Sequence, residues 1–288
     1  MKYPRILSAI RSAKWAVTPQ TLQAIADTLG AHMRGAVTGR SSLMPDSSPK
    51  PSMAAGPQQK EKPPIAVINV FGIIGKHLSA MESECGGCDV DAVEAALMAA
   101  VDDESVQSVI LNFDSPGGVV GGVPELAEKI RRADAIKPVF AFTDTQCCSA
   151  AYWLASACRA VFCTKSADLG SIGVYVALCD DSEWWAKQGY KLELIKAGEF
   201  KAAGISGKPL ADNERAMIQA DVDAVYAMFT ADVLKTRPGV QNSTMQGQTF
   251  MGSAAQSVGL VNEVVGSLDE LVAELAPKTQ QPSLFGRY

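Results

Sequence analysis

Histidine is nearly absent: the 288 residues include two, His32 and His77, and neither lies in a segment patterned like a catalytic loop. That shortage withholds the imidazole base from which a nucleophilic mechanism is most often built. There is no long run of lysine and arginine, and the formal net charge is −5, so the basic footprint of a nucleic-acid or anionic-membrane binder is missing. Nowhere do about 18 uncharged apolar residues follow one another. At the amino terminus Lys2, Arg5, Arg11 and Lys14 interleave with Ile6, Leu7 and Ile10, which is not the continuous apolar stretch of a signal peptide. These absences predict a soluble, cytoplasmic protein without a membrane anchor and without a nucleic-acid partner. The seven cysteines are odd in number and lack stapled-scaffold spacing, which favours free thiols. Cys85-Gly86-Gly87-Cys88 is a lone CxxC with no second pair, so a flexible loop is expected there and no metal.

What is present is apolar material for a sizeable core, 47% of the chain. Residues 4–34 read as one or two amphipathic helices, with Thr18-Pro19 as a cap before Leu22, Ile25, Ala26 and Leu29, so 1–38 is taken as a helical appendage. From 39 to 64 the composition shifts to Ser, Pro, Gly, Gln and Lys, which predicts a disordered linker. From Ile65 short apolar runs alternate with helical periods, the signature of β-α units around a mainly parallel sheet. Strands are expected over 65–71, 106–113, 138–143, 160–164, 172–178 and 191–195, with helices after Asp89, over 123–132, after Ser149, over 181–188 and over 212–235. The main domain is bounded at 65–276, and 277–288 reads as a flexible tail.

Two segments could carry chemistry. Ser149, in Cys147-Cys148-Ser149-Ala150-Ala151, heads an apolar helix whose free N-terminal N–H groups and dipole favour negative charge beside the hydroxyl, although a serine there is also an ordinary N-cap. Lys201, in Gly198-Glu199-Phe200-Lys201-Ala202-Ala203-Gly204, lies among small residues that would let its amine be packed against, and a lysine base has to be neutral. A surface lysine paired with Glu199 is the plain alternative. Ser115-Pro116-Gly117-Gly118 follows a buried strand, where ligands of open α/β folds bind, and glycines there let backbone N–H groups reach a developing oxyanion. The same run read as a tight turn needs no ligand at all. Cys147 and Cys148, with no histidine motif nearby, read as small core residues.

In order, Asp114-Ser115-Pro116-Gly117-Gly118, Cys148-Ser149-Ala150-Ala151-Tyr152-Trp153, Gly170-Ser171-Ile172-Gly173-Val174, Lys196-Ala197-Gly198-Glu199-Phe200-Lys201 and Phe250-Met251-Gly252-Ser253-Ala254-Ala255 through Gly259-Leu260-Val261-Asn262-Glu263 resemble the signal peptide peptidase A family of serine proteases. The resemblance covers roughly residues 65 to 275. It implies a ClpP/crotonase-type α/β fold of repeated β-β-α units, with Ser149 as nucleophile, Lys201 as general base and Ser171 orienting the lysine amine. The backbone N–H groups of Gly118 and Ala150 match the oxyanion hole. It implies no cofactor, peptide or protein substrates, and a homo-oligomer. Where the family usually has glycines after the nucleophile, this chain has Ala150 and Ala151, which keep the N–H but narrow the dihedral range. The absent anchor and the amino-terminal appendage resemble the phage or prophage branch, whose capsid-assembly proteases process scaffold, portal or coat proteins. A bacterial cytoplasmic peptidase, a crotonase-like acyl-CoA enzyme and an inactive assembly partner stand as alternatives.

Overall fold

The computed structural model describes residues 15–18, 21, 51–53, 64–84 and 86–276. The remaining parts of the expected appendage and linker, and the whole expected tail, lie outside the described residues, as does Cys85. In chain order the elements are β1 (Trp15–Val17), β2 (Pro51–Met53), β3 (Ile65–Phe71), β4 (Ile73–Gly75), α1 (Ala80–Glu84), β5 (Gly87–Asp89), α2 (Val90–Asp102), β6 (Ser108–Ser115), β7 (Gly117–Val119) and α3 (Val123–Ile136). They continue with β8 (Val139–Cys148), α4 (Ala150–Ser156), β9 (Ala160–Cys163), β10 (Asp168–Gly170), α5 (Ser182–Lys187), α6 (Asp212–Thr236), β11 (Thr249–Met251), α7 (Gly252–Ser257), β12 (Glu263–Val264) and α8 (Leu268–Leu275).

The larger sheet runs β11-β10-β8-β6-β3-β2, and the smaller β1-β7-β4-β5. β3, β6, β8 and β10 are parallel neighbours, and their near-continuous apolar runs are buried on both faces, as parallel strands require. β3 hands over to β4 through Gly72 and then to α2, and β6 hands over to β7 through Pro116 and then to α3, so a long strand, a short strand in the second sheet and a helix repeat. This is the β-β-α repetition that the resemblance leads one to expect. α2 begins where it does because the Asp89 carboxylate accepts from the Asp91 N–H at 3.0 Å, and its Val90, Val93, Leu97 and Val101 face the core.

β8 is ten residues long and changes partner along its length. Phe140–Thr143 pair with β9, whereas Gln146–Cys148 pair with β10, so the far end of the strand is aimed at the loop after Gly170. α4 then leaves that end with every residue buried. The indole of Trp153 stacks on Phe229 of α6 at 4.4 Å and donates to Asp232 at 2.8 Å, while the Tyr152 hydroxyl donates to the Leu260 carbonyl at 2.7 Å. Two large aromatics thus fix the helix that begins beside Ser149.

Burial pushes the Asp232 carboxyl up, but hydrogen bonds from Lys235 and Trp153 and the charge of Arg131 outweigh it and hold the group below the usual aspartate range. Its stabilisation is therefore complete above the unfolded carboxyl's value of about 3.9 and is lost as pH falls through the lower folded value. Asp232→Ala leaves the indole N–H and Arg131 short of an acceptor, and an expected loss of about 2 kcal/mol at pH 7 follows, measured by urea unfolding. Below about pH 4 the difference between variant and wild type should shrink.

Four expectations are corrected. Residues 172–178 form no strand beyond a single bridge at Tyr175, and 191–195 form none. Trp15–Val17 is a strand in the smaller sheet rather than helix, and Pro51–Met53 within the expected linker pairs with β3. Periodicity could not show the last two, because each strand is three residues long, and β1 is added to an edge built by residues far along the chain.

Candidate active site

Ser149 does not cap α4. Its backbone stands at φ 54°, ψ −118°, and its side chain makes no capping hydrogen bond. A residue with a Cβ in that region is strained by roughly 1–3 kcal/mol, and such outliers concentrate where function requires them. The strain is held from both sides: the Ser149 N–H donates to the Gly170 carbonyl at 2.7 Å, and the Ser149 carbonyl accepts from Trp153 N–H at 2.9 Å. The hydroxyl lies 3.5 Å from the carbonyl oxygen of Gly173.

Ser171 occupies the matching position on the next strand. Gly170 is in register with Cys148, so the two serines follow the ends of paired parallel strands, and Ser171 also has a positive φ of 50°. Its N–H donates to the Gln248 carbonyl at 2.8 Å, which fixes the loop that faces the Ser149 hydroxyl.

The third part is the turn after β6. Ser115 is fully buried, donates to the Gly72 carbonyl at 2.6 Å and accepts from the Gly117 N–H at 3.2 Å. It is an internal brace, a role no sequence signal announced. Gly117 has φ 103°, and a Cβ there would stand 2.9 Å from the Ser149 Cβ. A Cβ on Gly118 would stand 1.9 Å from the Ile74 carbonyl oxygen, so only glycine lets β7 pass this close to β4. Ala150 is the first residue of α4, where an N–H has no intrahelical acceptor, and its φ is not positive. Alanine therefore meets no conformational obstacle at this position.

Lys201 is where the structure departs most from expectation. It is exposed, and its side chain makes no hydrogen bond or ion pair among the described residues. Glu199, its alternative partner, accepts from the Asn213 amide at 2.6 Å instead. From Gly173 to Asn213 no residue is buried; Val174 and Tyr175 lie against the core, and the stretch beyond them projects from the body. It is tethered by two carboxylates. Asp181 accepts from the Ser206 hydroxyl, from Gly207 N–H at 2.6 Å and from the Trp185 indole at 3.2 Å. Buried Glu214 accepts from Lys208 at 2.7 and 2.8 Å, with Lys196 at 3.8 Å. Both lysines that flank Lys201 are thereby engaged, whereas Lys191, like Lys201, is exposed and makes no hydrogen bond or ion pair among the described residues.

The thiols beside the serine are unsuited to attack. Burial pushes Cys147 well above its ordinary value, and burial followed by the Asp168 charge pushes Cys148 up to about 12, so both stay protonated. His77 is exposed and faces Asp91 at 2.7 Å, and His32 lies outside the described residues. Cys88 is buried in β5 rather than in a loop.

A strained, buried serine beside a glycine turn marks this end of β8 as the candidate site. The family model for peptidase family S49 matches residues 131–281. The chain belongs to peptidase family S49. Capsid assembly protease C of Escherichia phage lambda is 32% identical over 210 residues, 72% of this chain and 48% of that protein. The head-tail preconnector protein GP5 of Enterobacteria phage P21 is 32% identical over 72% of this chain and 42% of its own length, and Protease 4 of Haemophilus influenzae is 30% identical over 72% and 34%. The chain thus spans less than half the length of these curated relatives. Among solved structures, a ClpP1 mutant from Listeria monocytogenes overlaps 71% of this S49 chain and 94% of its own, with a TM-score of 0.44 and 12% identity.

Proposed function

We propose that this S49 chain is a serine endopeptidase working through a Ser149–Lys201 dyad. Lys201 takes the Ser149 proton as the hydroxyl attacks a peptide carbonyl, Ser171 positions the lysine amine, and the N–H groups of Gly118 and Ala150 receive the developing oxyanion. The acyl-enzyme is then released by water. The observation that carries the reading is Ser149 itself, held in a glycine-like conformation with its hydroxyl free of any cap. An acyl-CoA enzyme using the same oxyanion groups would have no need of that strain.

A base lysine has to be desolvated, and one chain leaves Lys201 exposed. The same projection exposes Ile195 (96%), Tyr190 (63%) and Trp184 (57%), an apolar surface suited to a second copy of the chain. Assembly into a homo-oligomer that covers this projection is part of the reading. The substrates proposed are capsid scaffold, portal or coat proteins, on the strength of the phage relatives. No helix among the described residues is long and apolar enough to cross a membrane.

The test is cleavage of those head proteins by wild type and by Ser149→Ala, followed by mass spectrometry. Defined fragments that form with wild type alone are expected. Equal fragmentation by both proteins would end the peptidase reading, and intact head proteins beside Ser149-dependent hydrolysis of other peptides would end the substrate assignment.

A further inference from the structure

Ser149 is only 1% exposed, although a nucleophile must meet a substrate. Beside it, across the same glycine turn, lies the chain's own β1. Two backbone edges flank the nucleophile, β7 on one side and the segment at Tyr175 on the other, and an extended peptide laid between them would complete both. Residues 15–17 are that peptide. β1 runs antiparallel to β7 with Ala16 opposite Gly118, and Thr18 N–H donates to the Pro116 carbonyl at 3.2 Å. On the other side Trp15 exchanges both backbone hydrogen bonds with Tyr175, at 3.0 and 3.1 Å.

The alternation of a strand then decides which carbonyl meets the site. Since the N–H and C=O of Trp15 both point to Tyr175, those of Ala16 turn the other way, toward Gly118. The Ala16 carbonyl thus faces the very N–H assigned to the oxyanion hole. A second measure agrees: a methyl group built on Gly117 would stand 2.1 Å from the Ala16 carbonyl oxygen and 2.9 Å from the Ser149 Cβ. One carbon atom's room separates that carbonyl from the nucleophile. The side chains are enclosed as a substrate's would be, with Ala16 at 0% exposure and Trp15 and Val17 packed with Ile73, Val119 and Tyr175.

We propose that the chain is its own first substrate, with Trp15-Ala16-Val17 seated in the peptide cleft and the Ala16–Val17 bond cut by Ser149. The proposal rests on the peptidase reading above. Ser149 Oγ forms an ester bond to the Ala16 carbonyl carbon, and its proton passes through the base to the Val17 nitrogen as the C–N bond breaks. Water then supplies the hydroxyl of the Ala16 carboxyl group and returns a proton to Ser149. Until the cut is made, the cleft is closed to other substrates.

The experiment follows full-length wild type and Ser149→Ala from expression onward by intact mass and amino-terminal sequencing, with denatured casein as an external substrate. A new amino terminus at Val17 is expected in wild type and absent from Ser149→Ala, and casein hydrolysis should begin after a lag that tracks its appearance. Ala16→Arg, too large and charged for the enclosed position, should slow formation of that terminus more than tenfold. Ser149-dependent casein hydrolysis by a chain never cut between Ala16 and Val17 would overturn the self-cleavage proposal and leave the peptidase reading standing. Hydrolysis of neither casein nor the chain itself would overturn the peptidase reading, and the proposal with it.

Discussion

Ser149→Ala is expected to lower peptide hydrolysis by at least about 10⁴-fold, because removing the nucleophile of a covalent mechanism leaves only binding and oxyanion stabilisation. Folding should survive, since the hydroxyl makes one long contact, 3.5 Å to the Gly173 carbonyl, and no cap. The backbone adds a finer prediction. At φ 54° any Cβ is strained, so Ser149→Gly should be as inactive as the alanine variant yet more stable by about 1 kcal/mol in chemical denaturation. A cap would instead leave wild type the most stable of the three, ahead of the glycine and then the alanine variant. Substantial activity in either variant would remove Ser149 from the reaction.

Lys201→Ala is expected to cost about 10³-fold or more in kcat, again without loss of stability, because the exposed side chain makes no hydrogen bond or ion pair among the described residues. Lys201→Arg should fail as badly, since a guanidinium does not give up its proton. The neighbours supply the control. Lys196→Ala and Lys208→Ala loosen a tether to Glu214, so they should slow the reaction only in part and should lower stability, where Lys201→Ala does not. An amine base also requires activity to rise with pH, and a rise centred near 4 would point to a carboxylate instead. Wild-type kcat in Lys201→Ala would send the search for the base elsewhere.

The sequence was legible where burial and periodicity agree. The parallel strands expected over 106–113 and 138–143 were read where they are buried, but not their ends, since β6 runs on to Ser115 and β8 through exposed Asp144 and Thr145 to Cys148; α2 and α6 were legible because one face of each is buried. Within 173–213 the helix expected over 181–188 is present as α5, but the two expected strands are not. Leu192 and Ile195 resemble a core strand in composition, yet they are 43% and 96% exposed. β1 was invisible for a different reason: its partners, Gly118 and Tyr175, lie more than a hundred residues away, and no local pattern encodes them. At the site, Ser149, Ser171, Gly118 and Ala150 converge around one loop, whereas Lys201 does not join them within this chain. Nothing in Cys-Cys-Ser-Ala announces a φ of 54°, and nothing in Ser115 announces that its hydroxyl braces the Gly117 turn against Gly72.

The account stands on a covalent intermediate at Ser149, and the most direct test is to catch it. Wild type mixed with an activated peptide ester and quenched in acid within the first turnover should carry the acyl mass on the tryptic peptide that contains Ser149, and Ser149→Ala should carry none. Turnover of the ester with no acyl mass on that peptide, at equal rates in both proteins, would contradict it.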